Sequence, residues 1–447
     1  MDCNEVNLMC DSRPDDESST ILYSKHSFPK LLNRPWNVLL DSLSCLDRSS
    51  SFWWQMTGGP LSVMLDAAGY DDHSQYSALL FHFQHIIHRL GNPPTPEGLP
   101  HGWKSFMTDD CSPIEYSWTW GATPRIRYAV EAIAPSAGST FDPYNQLETV
   151  RLVEGLKKSQ SMDWQLFEYF RECFVPVIGA KDFNYSVPVS SPTNSSSVML
   201  AFEPWKGKIN AKAYVAPIKA YKYGRLPLDL ASSSFRKLEH DLNIKLPAYG
   251  TFHNFLGSKH GQSNLTFLAL AVDCIEPLNS RFKLYVRSIK TAFDDVCYNL
   301  TMGDFNHSVW TKELMSELRI LWYLALGLAT SFPTSRELPS LNHDTAGILY
   351  NYDIHAVNNS PDVKVYIPVR HYGRSDLDIA KGLGSYLQRQ GCDQHFHRYL
   401  QMLKQIGFHR ALEDSCGIQT YIACGIKNKA LCLTSYLSPE IYHRARY

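Results

Sequence analysis

Apolar and polar positions along the chain recur in a set order: two stretches with helical spacing, then two with strict alternation. The first round predicts helices over 53–68 and 73–90, then strands over 114–120 and 125–133. The second predicts helices over 146–158 and 163–174, with strands over 198–203 and 208–216. The third has a single helical stretch, 234–242, before strands over 265–272 and 281–287. The fourth predicts helices over 291–299 and 312–328 and strands over 347–354 and 363–369. The last predicts helices over 376–389 and 394–406 and strands over 419–425 and 430–437. Paired strands with short links read as antiparallel hairpins. Five such rounds give ten strands. A sheet of that size tends to close, because open edges invite wrong pairing. The expected fold is therefore α+β: a ten-stranded antiparallel β-barrel with a polar lumen, surrounded by α-helices, in five ααββ units. Residues 1–25 are polar and aperiodic and read as a disordered lead-in. No single round can bury its own apolar face, so 26–447 reads as one domain.

Strand phase then sorts the side chains by face. On the 208–216 strand, Ile209, Ala211, Ala213 and Val215 lie opposite Asn210, Lys212, Tyr214 and Ala216. On 281–287, Phe282, Leu284 and Val286 lie opposite Arg281, Lys283, Tyr285 and Arg287. On 363–369, four branched apolar residues lie opposite Lys364, Tyr366 and Pro368. A Lys-x-Tyr pair thus recurs three times, each backed by an apolar face. With helices covering the apolar side, the polar side must line the lumen. Cations crowded there lose hydration and repel one another, so a polyanion is the expected occupant. Tyr rings on the same face can stack against a cation. Arg125, Arg127 and Glu131 share a phase, as do Glu115, Ser117 and Thr119. Tyr421 shares a phase with Lys427, and Tyr436 with Thr434.

Composition narrows the partners. Net charge is -1 and the pI about 7.0, which gives no whole-chain bias toward nucleic acid or an anionic membrane. Aromatic residues make up 13% of the chain, enough for both a core and a stacking site. The chain has 11 Cys, no Cys-x-x-Cys and no apolar leader, so a reducing, cytoplasmic setting is expected. The longest apolar run, Ile320 to Ala329, is too short to span a bilayer. Phosphate motifs that work through metal or a glycine loop are missing: Asp71-Asp72, Asp109-Asp110 and Asp294-Asp295 each lack a third carboxylate. His82, His85 and His88 read as structural rather than as zinc ligands. No Gly-x-Ser-x-Gly supports a hydrolase. No metal and no cofactor are expected.

Several segments together resemble the fungal aromatic prenyltransferases of the dimethylallyltryptophan synthase family. They are Ser112-Pro113-Ile114-Glu115-Tyr116-Ser117, Arg127-Tyr128-Ala129-Val130-Glu131 and Lys212-Ala213-Tyr214, followed by Arg281-Phe282-Lys283-Leu284-Tyr285. Lys364 to Tyr372, Thr420-Tyr421 and Tyr436 complete the set, and the likeness runs from about Trp53 to the C-terminus. The resemblance implies this same barrel and a metal-independent transfer of a dimethylallyl group from dimethylallyl diphosphate to an aromatic small-molecule acceptor, first of all an indole. It implies that Arg127, Lys212, Arg281, Lys283, Lys364 and Lys427 bind the diphosphate, although many members carry Arg at the last position. Tyr214, Tyr285, Tyr366, Tyr421 and Tyr436 would shield the allyl cation, and Glu115 would accept a hydrogen bond from the acceptor's N–H or O–H. Met107 would touch the acceptor.

Three positions depart from the family. Met199 stands where members that alkylate C4 of tryptophan tend to carry Lys, and Ala216 where an aromatic residue is common. Both belong to the acceptor side and suggest a different or bulkier acceptor, or a longer prenyl chain. Lys364 stands where Gln is frequent. With Met199 unable to act as a base, Glu203 is a candidate by strand phase for the final ring proton. The competing expectations are a phenolic polyketide acceptor and a non-catalytic anion-binding barrel. A homodimer is the expected assembly.

Overall fold

In a computed structural model of the protein, the residues described are 28, 33–45, 47–159, 161–177, 196–304, 308–356 and 358–447. The lead-in expected at 1–25 lies outside them. Ten strands form: β1 (Ile114–Thr119), β2 (Arg125–Val130), β3 (Val198–Trp205), β4 (Lys208–Val215) and β5 (Leu265–Asp273), then β6 (Phe282–Ser288), β7 (Ile348–Ile354), β8 (Asp362–Ile367), β9 (Gln419–Lys427) and β10 (Ala430–Leu437). Each pairs antiparallel with its neighbours in sequence, and β1 closes on β10 through Ser117 opposite Tyr436. The expected barrel is present, and closure removes every sheet edge.

Alternation explains why the barrel is hollow and polar inside. Outward residues such as Tyr116, Trp118, Tyr128, Phe202, Leu284 and Tyr352 are fully buried beneath the helices. The main hydrophobic core therefore lies between barrel and helices, leaving the lumen for other chemistry. Two irregularities shape that lumen. The ladder slips in β5 between Phe267 and Ala269, and in β9 between Gln419 and Ile422, opposite Ser435 to Leu437 of β10. A bulge turns an extra side chain toward one face, and both Leu268 and Ala269 line the cavity.

The helices follow the local signals closely. Asp47 accepts from Ser50 N at 2.7 Å to start the first barrel-covering rod. The rod runs as helix Arg48–Trp53, one wider turn Trp54–Gly58, then helix Gly59–Ala67. Pro60 lacks an N–H and crowds the preceding turn, which accounts for the widening there. Thr311 caps helix Lys312–Leu326, and Gly327, at φ +63°, ends it. The third round departs from expectation: helices Pro227–Asp241, Pro247–Gly257 and Lys259–Asn264 replace the one anticipated stretch. The prolines that broke the pattern sit at N-terminal helical positions, where a missing N–H costs nothing. Helix Arg34–Ser42, capped by Asn33, was also not anticipated.

Helix Asp376–Arg389 packs against Lys312–Leu326 at backbone distance. A Cβ on Gly382 would meet the Leu324 carbonyl oxygen at 2.0 Å. Gly382→Ala is expected to destabilise the protein by about 1–3 kcal/mol, the usual range for overpacking. Thermal unfolding of the two proteins checks it, and an unchanged midpoint would mean that the helices separate freely.

Candidate active site

The inward side chains sort into three levels along the barrel axis. At one end lie the cations. Arg127 Nη2 is 2.5 Å from Glu203 Oε2, and Arg125 Nη2 is 3.0 Å from Glu203 Oε1. Lys212 Nζ and Lys283 Nζ lie 2.9 and 3.0 Å from the same oxygen of Asp273. Arg281 Nε lies 2.8 Å from the other oxygen and also reaches Asp353 at 3.3 Å. The expected cation cluster is therefore assembled, but it is not unopposed. Three carboxylates on β3, β5 and β7 hold it together.

The charges there are strongly coupled. Burial would raise Glu203, but Arg127 and Arg125 hold it down at about 2. Burial likewise opposes ionisation of Asp273, and Lys283, Lys212 and Arg281 nevertheless hold it far below the usual carboxylate range. Lys212 is pulled down by burial and then by Arg127 and Lys283, with Asp273 acting the other way. Lys283 is pulled down by burial first, against Asp353 and Asp273. An added polyanion would favour the charged form of both lysines. This state of Glu203 removes it as a base for the ring proton: it is a weak acceptor, locked in two ion pairs among the cations.

Lys364 lies along Gly425, where a Cβ would come within 2.6 Å of its stem. Glycine at 425 thus makes room for lysine at 364. Lys427 is exposed at the end of β9, beside the turn residues Asn428 and Lys429 at φ +52° and +61°. The diphosphate-binding role that the resemblance implies for it would be played from the outer rim. Glu131 is corrected more sharply. It lies past the end of β2 and out of the lumen, accepting from Trp103 Nε1, Ser105 Oγ and Ser196 Oγ, each at 2.5 Å. There it anchors the loop that carries Met107.

The middle level is aromatic. Ring centroids run from Tyr214 to Tyr285 at 5.7 Å and from Tyr285 to Tyr366 at 6.1 Å. Tyr366 then meets Tyr436 at 5.5 Å and Tyr421 at 6.2 Å. Burial raises Tyr214 to about 12 and also lifts Tyr285 and Tyr436 well above the ordinary tyrosine value, so these three rings keep their protons. Neutral rings present a negative face without a competing anion, which suits a carbocation.

The tyrosines and Arg127 share a cavity of about 910 Å³ with Met107, Glu115, Met199 and Ala216, all on its wall. The sequence-predicted acceptor residues are thus brought together. Glu115 accepts from Thr420 Oγ1 at 2.6 Å. Burial lifts its carboxyl to about 7, partly offset by the Thr420 bond and the nearby Arg370. A carboxyl poised there can take or return a proton at ordinary pH. Over the mouth, Thr345 Oγ1 lies 2.8 Å from both His343 Nδ1 and His371 Nε2, and Arg370 Nε lies 2.8 Å from Asp109. Asp109, His343 and His371 bring ligand-type atoms within 4.8 Å of one another, but Arg370 occupies the carboxylate. His82, in contrast, is buried in the helical layer, 2.7 Å from Thr57.

Strand phase anticipated much of this but missed Asp273, Asp353 and Thr420. The two aspartates were readable: Asp353 alternates with the outward Tyr350 and Tyr352, and Asp273 ends the strand paired to Lys212. Thr420 was not, because it lies in the irregularity of β9, where Thr420 and Tyr421 together face the single Tyr436 of β10.

A buried cation cluster, an aromatic sleeve and a chamber in one closed barrel fit an aromatic prenyltransferase. Residues 49–402 match the model of the tryptophan dimethylallyltransferase family, and the protein belongs to that family. It is 32% identical over 434 residues to prenyltransferase anuH of Penicillium roqueforti, covering 93% of this chain and 94% of the relative. It is also 32% identical to the 4-O-dimethylallyl-L-tyrosine synthase of Claviceps purpurea, covering 88% and 89%. The fold matches the crystal structure of AnaPT from Neosartorya fischeri with a TM-score of 0.77 at 23% identity, over 91% of this chain and 97% of that one. No helix among the described residues is long and apolar enough to cross a membrane.

Proposed function

We propose that this prenyltransferase moves a dimethylallyl group from dimethylallyl diphosphate to a phenolic ring, at carbon or oxygen. The observation that carries the phenol is Glu115: a carboxyl near 7, hydrogen-bonded by Thr420, on the wall of the acceptor chamber. Such a group can remove a phenol proton as the ring attacks, so that the electron-rich phenolate is the nucleophile. Its relative named for 4-O-dimethylallyl-L-tyrosine supports an acceptor of that kind.

Arg127, Lys212, Arg281 and Lys283, with Lys364 beside them, hold the diphosphate. As the allylic C–O bond breaks, its electron pair leaves with the diphosphate, and these cations stabilise the charge that develops. The allyl cation sits among Tyr214, Tyr285, Tyr366, Tyr421 and Tyr436, which exclude the water that would trap it. The acceptor then forms the new bond, and its hydroxyl proton goes to Glu115. Attack through carbon leaves a dienone, which regains aromaticity by shifting its ring proton to the oxygen. This route needs no dedicated strong base at the position of Met199.

A second reading keeps the donor and takes an indole acceptor, which the family's own description favours. In that case Glu115 only accepts a hydrogen bond from the indole N–H. The deciding experiment mixes the enzyme with dimethylallyl diphosphate and a matched panel of phenols and indoles, measuring diphosphate release and prenylated product. Phenols are expected to be consumed faster. Consumption of indoles alone would overturn the phenol reading. Binding of the donor with no release for any acceptor would leave only an anion-binding barrel.

A further inference from the structure

Along β6 the inward face reads Lys283, Tyr285, Arg287. Lys283 belongs to the cation cluster and Tyr285 to the aromatic sleeve. Arg287 lies two residues further, about 13 Å along the strand from Lys283. Tyr285 stands between it and Lys283 on the strand, and it rests on none of the carboxylates that hold the cluster, so it is not one of the cations assembled there. It lines the same cavity as Glu115, Met107 and Met199.

Its position round the barrel is as informative as its depth. From β1 the strand order reaches β6 after β10, β9, β8 and β7 in one direction, and after β2, β3, β4 and β5 in the other. Glu115 and Arg287 therefore come from opposite walls of one chamber. An acceptor whose N–H or O–H meets Glu115 turns its far end toward Arg287.

Arg287 also differs from the other arginines of the lumen in its pairing. Arg125 and Arg127 hold Glu203, Arg281 holds Asp273, and Arg370 holds Asp109. Arg287 donates to the Ala346 carbonyl oxygen at 3.2 Å and forms no ion pair with a carboxylate among the described residues. A partly buried guanidinium with donors to spare is matched by a planar, doubly accepting anion. Resting on the acceptor reading above, we infer that Arg287 is a specificity-determining residue that binds a carboxylate on the acceptor, at the end opposite the group held by Glu115. The preferred acceptors are then aromatic acids rather than neutral phenols or indoles.

The test compares acids with their methyl esters under steady-state conditions with dimethylallyl diphosphate. The pairs are L-tyrosine, 3-(4-hydroxyphenyl)propanoate and L-tryptophan, each against its ester. In the wild-type enzyme the acid of a pair is expected to show a KM roughly 10- to 100-fold below that of the ester, the usual range for a charge-assisted bond. Arg287→Leu should erase that difference by raising the KM of the acid, leaving kcat for the ester close to wild type. Arg287→Gln keeps a donor for Ala346 but loses the charge, and should behave like the leucine variant. Arg287→Lys should retain part of the preference. A merely structural role would lower acid and ester alike and would overturn the inference. So would a wild-type enzyme that turns over ester and acid equally, a result needing no variant at all. If no pair releases diphosphate, the acceptor reading itself fails and takes this inference with it.

Discussion

Glu115→Gln is expected to lower turnover by about 10²- to 10⁴-fold, the range for loss of a positioned general base, while leaving the fold intact. Gln has the same shape and can still accept from Thr420, so the Thr420 hydroxyl keeps its partner. In the wild-type enzyme, kcat/KM should climb through an acid limb near pH 7, as Glu115 loses its proton. The variant should lack that limb. Stability should move the other way. The folded value lies above the ordinary 4.5, so the folded state binds the proton more tightly than the unfolded one. The stability this contributes is complete below about 4.5 and is lost as pH rises through about 7. At pH 8 the wild-type protein holds a poorly solvated carboxylate that the variant lacks. Thermal unfolding at that pH should show the variant to be at least as stable. A variant that kept most of the turnover would remove Glu115 from the reaction. A variant that was both inactive and unstable at pH 8 would point to a structural role instead.

Strand pattern revealed the donor half of the site better than the acceptor half. Lys212 with Tyr214, Lys283 with Tyr285 and Lys364 with Tyr366 repeat a two-residue period on strands whose other face is apolar. Alternation alone therefore sends them inward. The acceptor chamber has no such period. Met107 comes from a loop anchored by Glu131, a residue that strand phase had placed in the lumen. Thr420, which reaches Glu115, lies where β9 carries an extra residue against β10. Long-range contacts of this kind depend on how strands close, which local alternation does not encode. The helices of the third round were obscured for a different reason. Pro227 and Pro247 look like breaks in a one-dimensional pattern, but at N-terminal positions they are starts.

The aspartate at the centre of the cation cluster sharpens what a single lysine contributes. Lys212, Lys283 and Arg281 all rest on Asp273. In the proposed function, a diphosphate entering this end must draw them from a carboxylate that is already ionised, and it does so by offering more charge. Lys283→Ala removes one charge-assisted partner, worth about 1.5–3 kcal/mol, which weakens inorganic diphosphate binding roughly 10- to 150-fold. Asp273 keeps two partners, so the fold should survive. Turnover should also fall, by about 10²-fold or more, since the lost charge acts most strongly on the departing diphosphate. Lys427→Ala supplies the contrast. The resemblance gives the two lysines the same role, yet Lys283 is buried in the cluster and Lys427 is exposed at the end of β9. Its removal should change diphosphate affinity by less than about threefold, as for an exposed charge. Calorimetric titration of both variants with inorganic diphosphate checks the pair. Equal losses would show that charge at this end acts as a diffuse field. A large loss for Lys283 alone would show that it acts through contacts set by Asp273.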